Sequence, residues 1–184
     1  SNTNDILAVV KKLRINYNGI PTSNIIIDQD GIGVKDFLEC HTFFGGSAEN
    51  EVINPARAID RVGDKEQKRG FQNKRTQLYH FLAEKVNGAD IFVDVDNVWY
   101  HRDALHSEKV KAIKLGGKMY DIKDLIKEEL RVIRKVPSPN ERLKKIISKD
   151  EHKNALGGRS PDHGDMMMMR GQFEFIRRKK YLRS

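Results

Sequence analysis

The isoleucine run Ile25-Ile26-Ile27 leads straight into Asp28, and Gly31 and Gly33 follow shortly after. Side chains branched at Cβ pack well on a pleated surface and lose rotamer freedom in a helix. A run without polar alternation suits a strand covered on both faces, as in the parallel sheets of α/β proteins. In open α/β sheets the sites lie at the carboxyl ends of the strands, where Asp28 falls. These few residues predict an α/β fold with a functional acid early in the chain. Asp30 is close enough to assist, or forms a turn with Gly31.

A second acidic stretch lies far downstream, in Gly158-Arg159-Ser160-Pro161-Asp162-His163-Gly164-Asp165, followed by Met166 to Met169. Ser160-Pro161-Asp162 predicts a helix start, with Ser160 as N-cap and Pro161 at the first helical position. Asp162 and Asp165 then share one face of the first turn. Acids at a helix N-terminus answer the helix dipole. Two of them at the mouth of a buried helix also suit a divalent cation with oxygen ligands. Both readings stay open on these residues alone. His163 is a metal neighbour or faces solvent, and the methionine tetrad reads as core packing at helical spacing.

Between these stretches the pattern alternates. Asp5 to Tyr17 carries Ile6, Val9, Val10, Leu13 and Tyr17 at helical spacing, and Asn18-Gly19-Ile20-Pro21 ends that helix. Val34 to Leu38 starts another helix, and Cys40 to Phe44 is a short strand. Ser47 to Phe71 is polar, shows no period, and reads as a long, mobile surface loop. Gln72 to Val86 is an amphipathic helix with Leu78, Tyr79, Leu82, Ala83 and Val86 on its apolar face. Ala89 to Val95 reads as a strand, with Asp94 and Asp96 as turn residues or metal ligands at its exit. Val110 to Leu115 and Ile122 to Val136 show helical patterns. Leu143 to Ser148 reads as a strand or hairpin arm. Arg177, Arg178, Lys179, Lys180 and Arg183 make a basic tail over residues 176–184, read as a frayed end.

Composition bounds the function. The 184 residues suit a single domain, 1–184, with a real core. A formal net charge of +8 favours polyanionic partners. The single cysteine, Cys40, excludes an internal disulfide and a cysteine-based zinc cluster, and fits a reducing cytoplasm. No apolar run is long enough to span a bilayer, so no membrane role is expected.

Three motifs occur in order: Ile25-Ile26-Ile27-Asp28-x-Asp30-Gly31-x-Gly33, then Asn73-Lys74-x-x-x-Gln77-x-Tyr79, then Gly158-Arg159-Ser160-Pro161-Asp162-x-x-Asp165. As an ordered set they resemble the nuclease domain of the large terminase subunit of tailed bacteriophages and prophages, over nearly the whole chain from about Asp5 to about Phe175. The resemblance implies an RNase H-like fold, a mixed sheet flanked by helices. It implies a metal-dependent endonuclease that cuts concatemeric double-stranded DNA during genome packaging. Two Mg²⁺ or Mn²⁺ ions would be held by acids, with Asp28 in the place of the central-strand acid and Asp165 in that of the late-helix acid. Asp162 falls on the neighbouring position. The implied partners are DNA, the small terminase subunit and the portal protein, in the cytoplasm of a bacterial host.

Lys74, Arg75, Lys149, Lys153 and Arg159 lie near these motifs, as candidate contacts to DNA phosphates or as solvated surface residues. The family's first acid, on an early strand, and the phosphate loop of its ATPase motor have no counterpart in these residues. The expectation is therefore a partial fold that docks with a missing N-terminal part or self-associates through a strand edge. Loss of that acid and its strand is expected to cost the isolated chain its endonuclease activity, or the chain serves as a non-catalytic DNA-binding or portal-docking module. Another RNase H-like nuclease, such as a junction resolvase, is the third reading.

Overall fold

The computed structural model describes residues 3–16, 18–28, 40–43, 59–62, 65–68, 70–101, 107–138 and 143–181. It is a mixed α/β structure, and its elements fall into two compact units, Ser1–Phe44 with Phe92–Asp124, and Gly45–Ile91 with Leu125–Ser184.

In the first unit, helix α1 (Thr3–Asn16) is followed by a left-handed pair at Asn18 (φ 55) and Gly19 (φ 77), which reverses the chain. The Arg14 side chain donates to the Ile20 carbonyl at 2.9 Å across that reversal. Strand β1 (Ile26–Asp28) pairs in parallel with β2 (His41–Phe43), with Ile27 opposite Thr42 and Asp28 opposite Phe43. Ile27 and Phe43 are buried. The isoleucine run thus forms a parallel strand with Asp28 at its last position. The helix expected over Val34 to Leu38 lies outside the described residues, as does Asp30.

Two expectations need correction. Ala89 to Val95 is not a strand: Ile91, Val93 and Val95 are half-buried and alternate with exposed Phe92, Asp94 and Asp96, but no ladder forms along them among the described residues. Alternating burial gives an extended chain; a strand needs a hydrogen-bonded neighbour as well. Instead the segment ends in a 3₁₀ turn, Val95–Asn97, where the Asn97 amide donates to Asp94. The helix expected over Val110 to Leu115 is also replaced. Strands β8 (Ala112–Leu115) and β9 (Lys118–Asp121) form an antiparallel hairpin closed by Gly116 (φ 55) and Gly117 (φ 83). Two successive left-handed residues make the turn whose twist matches a hairpin, and glycine supplies them without strain. Strands β6 (Trp99–His101) and β7 (Ser107–Lys109) pair just before it.

The second unit opens with β3 (Ile59–Val62) and β4 (Lys65–Lys68), antiparallel, with Asp60 opposite Gln67 and Arg61 opposite Glu66. This hairpin falls inside the stretch expected to be a loop. Its polar residues carry no alternation, so the backbone pairing left no hydrophobic signal. The rest of the expected loop up to Ala58 is outside the described residues. Strand β5 (Gly70–Phe71) pairs in parallel with β10 (Leu143–Lys144).

Helix α2 (Lys74–Asn87) starts on Asn73, whose side-chain oxygen accepts the Thr76 amide at 2.8 Å. It buries Leu78, Tyr79 and Leu82, while Ala83 and Val86 face outward. Helix α3 (Ile122–Arg131) contributes buried Leu125 and ends earlier than its apolar period suggested; Lys135 then bridges to Ile146. Helix α4 (Lys149–Ala155) is started by a reciprocal cap. The Ser148 hydroxyl accepts the Glu151 amide at 3.1 Å, and the Glu151 carboxylate accepts the Ser148 amide at 2.8 Å. Backbone and side-chain bonds from Ser148 hold the Glu151 carboxyl below its usual range.

Helix α5 (Asp162–Tyr181) runs through most of the expected frayed tail. It packs along α2. At Gly171 an added Cβ would sit 3.0 Å from the Phe81 ring, so the close approach depends on glycine. The Phe81 and Phe175 rings meet edge-on at 5.1 Å. Of the methionines, Met168 is core, whereas Met166 is 58% exposed. No helix among the described residues is long and apolar enough to cross a membrane.

Candidate functional site

The middle and late motifs meet in the second unit. The start of α5 follows two left-handed glycines, Gly157 (φ 68) and Gly158 (φ 88), which turn the chain out of α4. The first helical bond runs from the Asp165 amide to the Pro161 carbonyl at 2.8 Å, so the helix begins about one residue later than expected. Asp162 is exposed. Asp165 is turned inward, only 8% exposed, and its Oδ1 accepts the Tyr79 hydroxyl of α2 at 2.7 Å. Burial first, and then the charge of Asp165, push the Tyr79 phenol far above its ordinary pKa, so it stays a neutral donor.

Arg75, one helical turn earlier, is also buried. Its guanidinium lies over the Tyr79 ring, 4.9 Å from the centroid. Nη1 donates to the Ile147 carbonyl at 2.9 Å, and Nη2 lies 3.1 Å from His152 Nδ1. Nε is 3.9 Å from Asp165 Oδ1 and has no hydrogen-bond partner among the described residues. Arg75 therefore faces the interior. Its first contacts are protein groups, and its charge compensates Asp165.

His152 is fully buried, and its Nε2 lies 2.9 Å from the Glu129 carbonyl. A carbonyl only accepts, so Nε2 carries the proton and Nδ1 accepts from Arg75. Burial lowers the His152 pKa from its ordinary 6.5; the Glu129 carbonyl bond opposes it, and the Arg75 charge adds a smaller lowering effect. The imidazole is neutral.

Glu129 lies at the centre. It is 0% exposed, on α3. Its Oε1 accepts Arg159 Nη1 at 2.7 Å and lies 3.3 Å from His163 Nδ1; its Oε2 accepts the Gly164 amide at 2.7 Å. Arg159 reaches Glu128 as well, through Nη2 at 2.9 Å. Burial pushes the Glu129 carboxyl upward, but the bonds from His163, Gly164 and Arg159 together outweigh it and hold it below the usual range.

The structure thus brings Tyr79, Arg75, Asp165, His163 and Arg159 into one connected network in the second unit. Asp28 lies in the first unit, at the end of β1. Asp162 is beside the network but outward. Lys74 and Lys149 are half-buried at the starts of α2 and α4, Lys153 is half-buried in the last turn of α4, and Arg159 is directed at carboxylates. Among the described residues no group of three or more His, Cys, Asp or Glu side chains is placed to hold a metal ion. Asp162 and Asp165 offer two carboxylates on one turn, which is part of such a set. No sequence signal points to Glu129 or His152; only the Ser148–Glu151 capping pattern, ahead of His152, reads as a helix start.

No protein-family model matches the chain, and neither a curated protein nor a solved structure matches it.

Proposed function

We propose that this chain is the nuclease part of a tailed-phage or prophage terminase large subunit, a metal-dependent endonuclease acting on double-stranded DNA. The observation that carries the reading is the 2.7 Å bond between Tyr79 and Asp165. It joins the middle motif to the late motif, which are far apart in sequence, and leaves the late acid anchored and oriented. The parallel pair β1–β2, with Asp28 at the end of its strand, agrees with an RNase H-like sheet.

On this reading Asp165 and Asp162 in the second unit, and Asp28 in the first, would each serve as ligands of Mg²⁺ or Mn²⁺. The ions would neutralise the transferring phosphoryl group and lower the pKa of an attacking water. The chain's own residues do the rest. Tyr79 fixes the Asp165 carboxylate, and Arg75 balances its charge while it is buried. Lys74, Lys149 and Lys153 would contact the phosphate backbone, with little dependence on sequence and strong dependence on salt. The partners are double-stranded DNA, the small terminase subunit and the portal, in the bacterial cytoplasm.

A second reading is favoured by one specific observation: Asp165 is already compensated by Arg75, whose Nε lies 3.9 Å from its Oδ1. On that reading the chain is a non-catalytic DNA-binding or portal-docking module.

Nicking of supercoiled plasmid in Mn²⁺, in Mg²⁺ and in EDTA separates them, with wild type beside Asp28→Asn and Asp165→Asn. Metal-dependent nicking lost in both variants supports the nuclease. Nicking that persists in both overturns the site. DNA binding that survives EDTA and Asp165→Asn, without nicking, supports the docking module.

A further inference from the structure

We propose that Glu129 is a positioning residue: it locks the first turn of α5 in one register and thereby presents Asp165 to the site. The functional clause rests on the nuclease reading above; the positioning clause stands on geometry alone.

Among the described residues, every donor to this carboxylate comes from the late motif. Arg159 and His163 supply side chains, and Gly164 supplies its backbone amide. These donors flank Asp162 and end directly before Asp165. Contacts on both sides of a turn fix its translation along the helix axis and its rotation about it. The residue that follows Gly164 is then turned to Tyr79 at 2.7 Å, while Asp162 stays exposed. Gly164 is buried between the two partners. An added Cβ there would lie 3.5 Å from the Tyr79 hydroxyl and 3.6 Å from Glu129.

Stability alone does not explain a carboxylate at 0% exposure. A buried ion pair is often matched or bettered by apolar residues of similar volume, because desolvation offsets the attraction. What Glu129 adds is direction: its two oxygens accept from fixed donors, and the acid next to those donors can take only one orientation. Arg159 and His163 are accounted for in the same way, as internal grips on Glu129. The other end of Glu129 is held as well, since its carbonyl accepts from His152, which in turn accepts from Arg75. The network therefore closes on Asp165 from two sides, through Gly164 and through Arg75.

The experiment is Glu129→Gln in the full chain, read by amide hydrogen exchange and by calorimetric titration with Mn²⁺. The substitution keeps the size and removes the charge that Arg159 and His163 share. Exchange should rise about tenfold or more in the segment 162–166 and much less in α2, as for a local opening. Mn²⁺ affinity should fall about tenfold, the scale on which residues behind a metal ligand act. Plasmid nicking should lose turnover with an unchanged KM for DNA. Should Glu129→Gln fail to fold, His163→Gln removes one grip at a half-buried position and should move the same readings in the same direction by less. Exchange that rises equally throughout the unit, or stays flat at 162–166, overturns the positioning role. Wild type that binds no Mn²⁺ and nicks nothing overturns the nuclease reading instead, while local exchange still decides the role of Glu129.

Discussion

The two acidic motifs are anchored very differently. Asp28 is the last described residue of a short parallel strand, β1, whose one ladder among the described residues is to β2. Its backbone position follows from that pairing and from the burial of Ile27. Asp165 is held by a hydroxyl, a guanidinium and, through Gly164, a buried carboxylate. A two-stranded sheet is marginal by itself and depends on further packing. A buried polar network with its partners in place specifies one arrangement and is costly to disturb. The late acid is thus fixed by a side-chain network within its own unit, whereas the early one sits on a strand paired, among the described residues, with β2 alone.

That contrast can be broken at several points. The largest expected effect is from Arg75→Met, which strips partners from the Ile147 carbonyl, His152 and Asp165 together. Loss of one member of a buried charged pair costs about 3–5 kcal/mol, and urea unfolding should register it. Leu78→Ala, at a fully buried position on α2, should lose about 2–5 kcal/mol. Ile27→Ala should fall at the low end of that range if β1 is the weaker region; an equal loss would erase the contrast. Gly171→Ala pushes a methyl to 3.0 Å from the Phe81 ring and should cost about 1–3 kcal/mol by the same assay. Ser148→Ala removes the α4 cap and should cost about 1 kcal/mol.

Acid sharpens the comparison in another way. His152 is held neutral, with its folded pKa below the ordinary 6.5. Between those two values the unfolded chain binds the extra proton, so stability is full above 6.5 and falls as pH drops through that window. Glu129, held below its ordinary 4.5, has the same sign at lower pH: its contribution is present above that value and fades as the carboxyl is protonated. Urea midpoints should therefore decline from about pH 7.5 to about pH 5, and His152→Gln should flatten the decline. A decline unchanged in that variant would place the titrating group elsewhere.

What was legible in the sequence follows from which forces write a pattern. The branched run Ile25 to Ile27 and the apolar period around Leu78 and Leu82 announced a strand and a helix, because burial of apolar side chains sets a period. The β8–β9 hairpin was misread as helix from Val110 to Leu115. Its decisive signal, Gly116-Gly117, is about backbone twist, and the helical pattern in the short segment before it was too brief to outweigh that. Ala89 to Val95 was misread for the converse reason: its alternation is real, but no period can reveal whether a neighbouring chain will pair. The late helix start and Asp165 were legible through Pro161 and the motif. Glu129 was not. It sits among the surface-type residues Lys127, Glu128 and Arg131, and its burial is imposed by donors more than twenty residues downstream. Arg75, read as a candidate phosphate contact, is turned inward by the Ile147 carbonyl and His152, which local sequence does not announce.

The most direct test of the central claim is anomalous diffraction at the manganese edge from crystals of the wild-type chain grown with Mn²⁺. A manganese ion is expected on the Asp165 carboxylate, with the Gly164 amide still on Glu129. Manganese bound only elsewhere, with Asp165 remaining on Tyr79 and Arg75 alone, would contradict it.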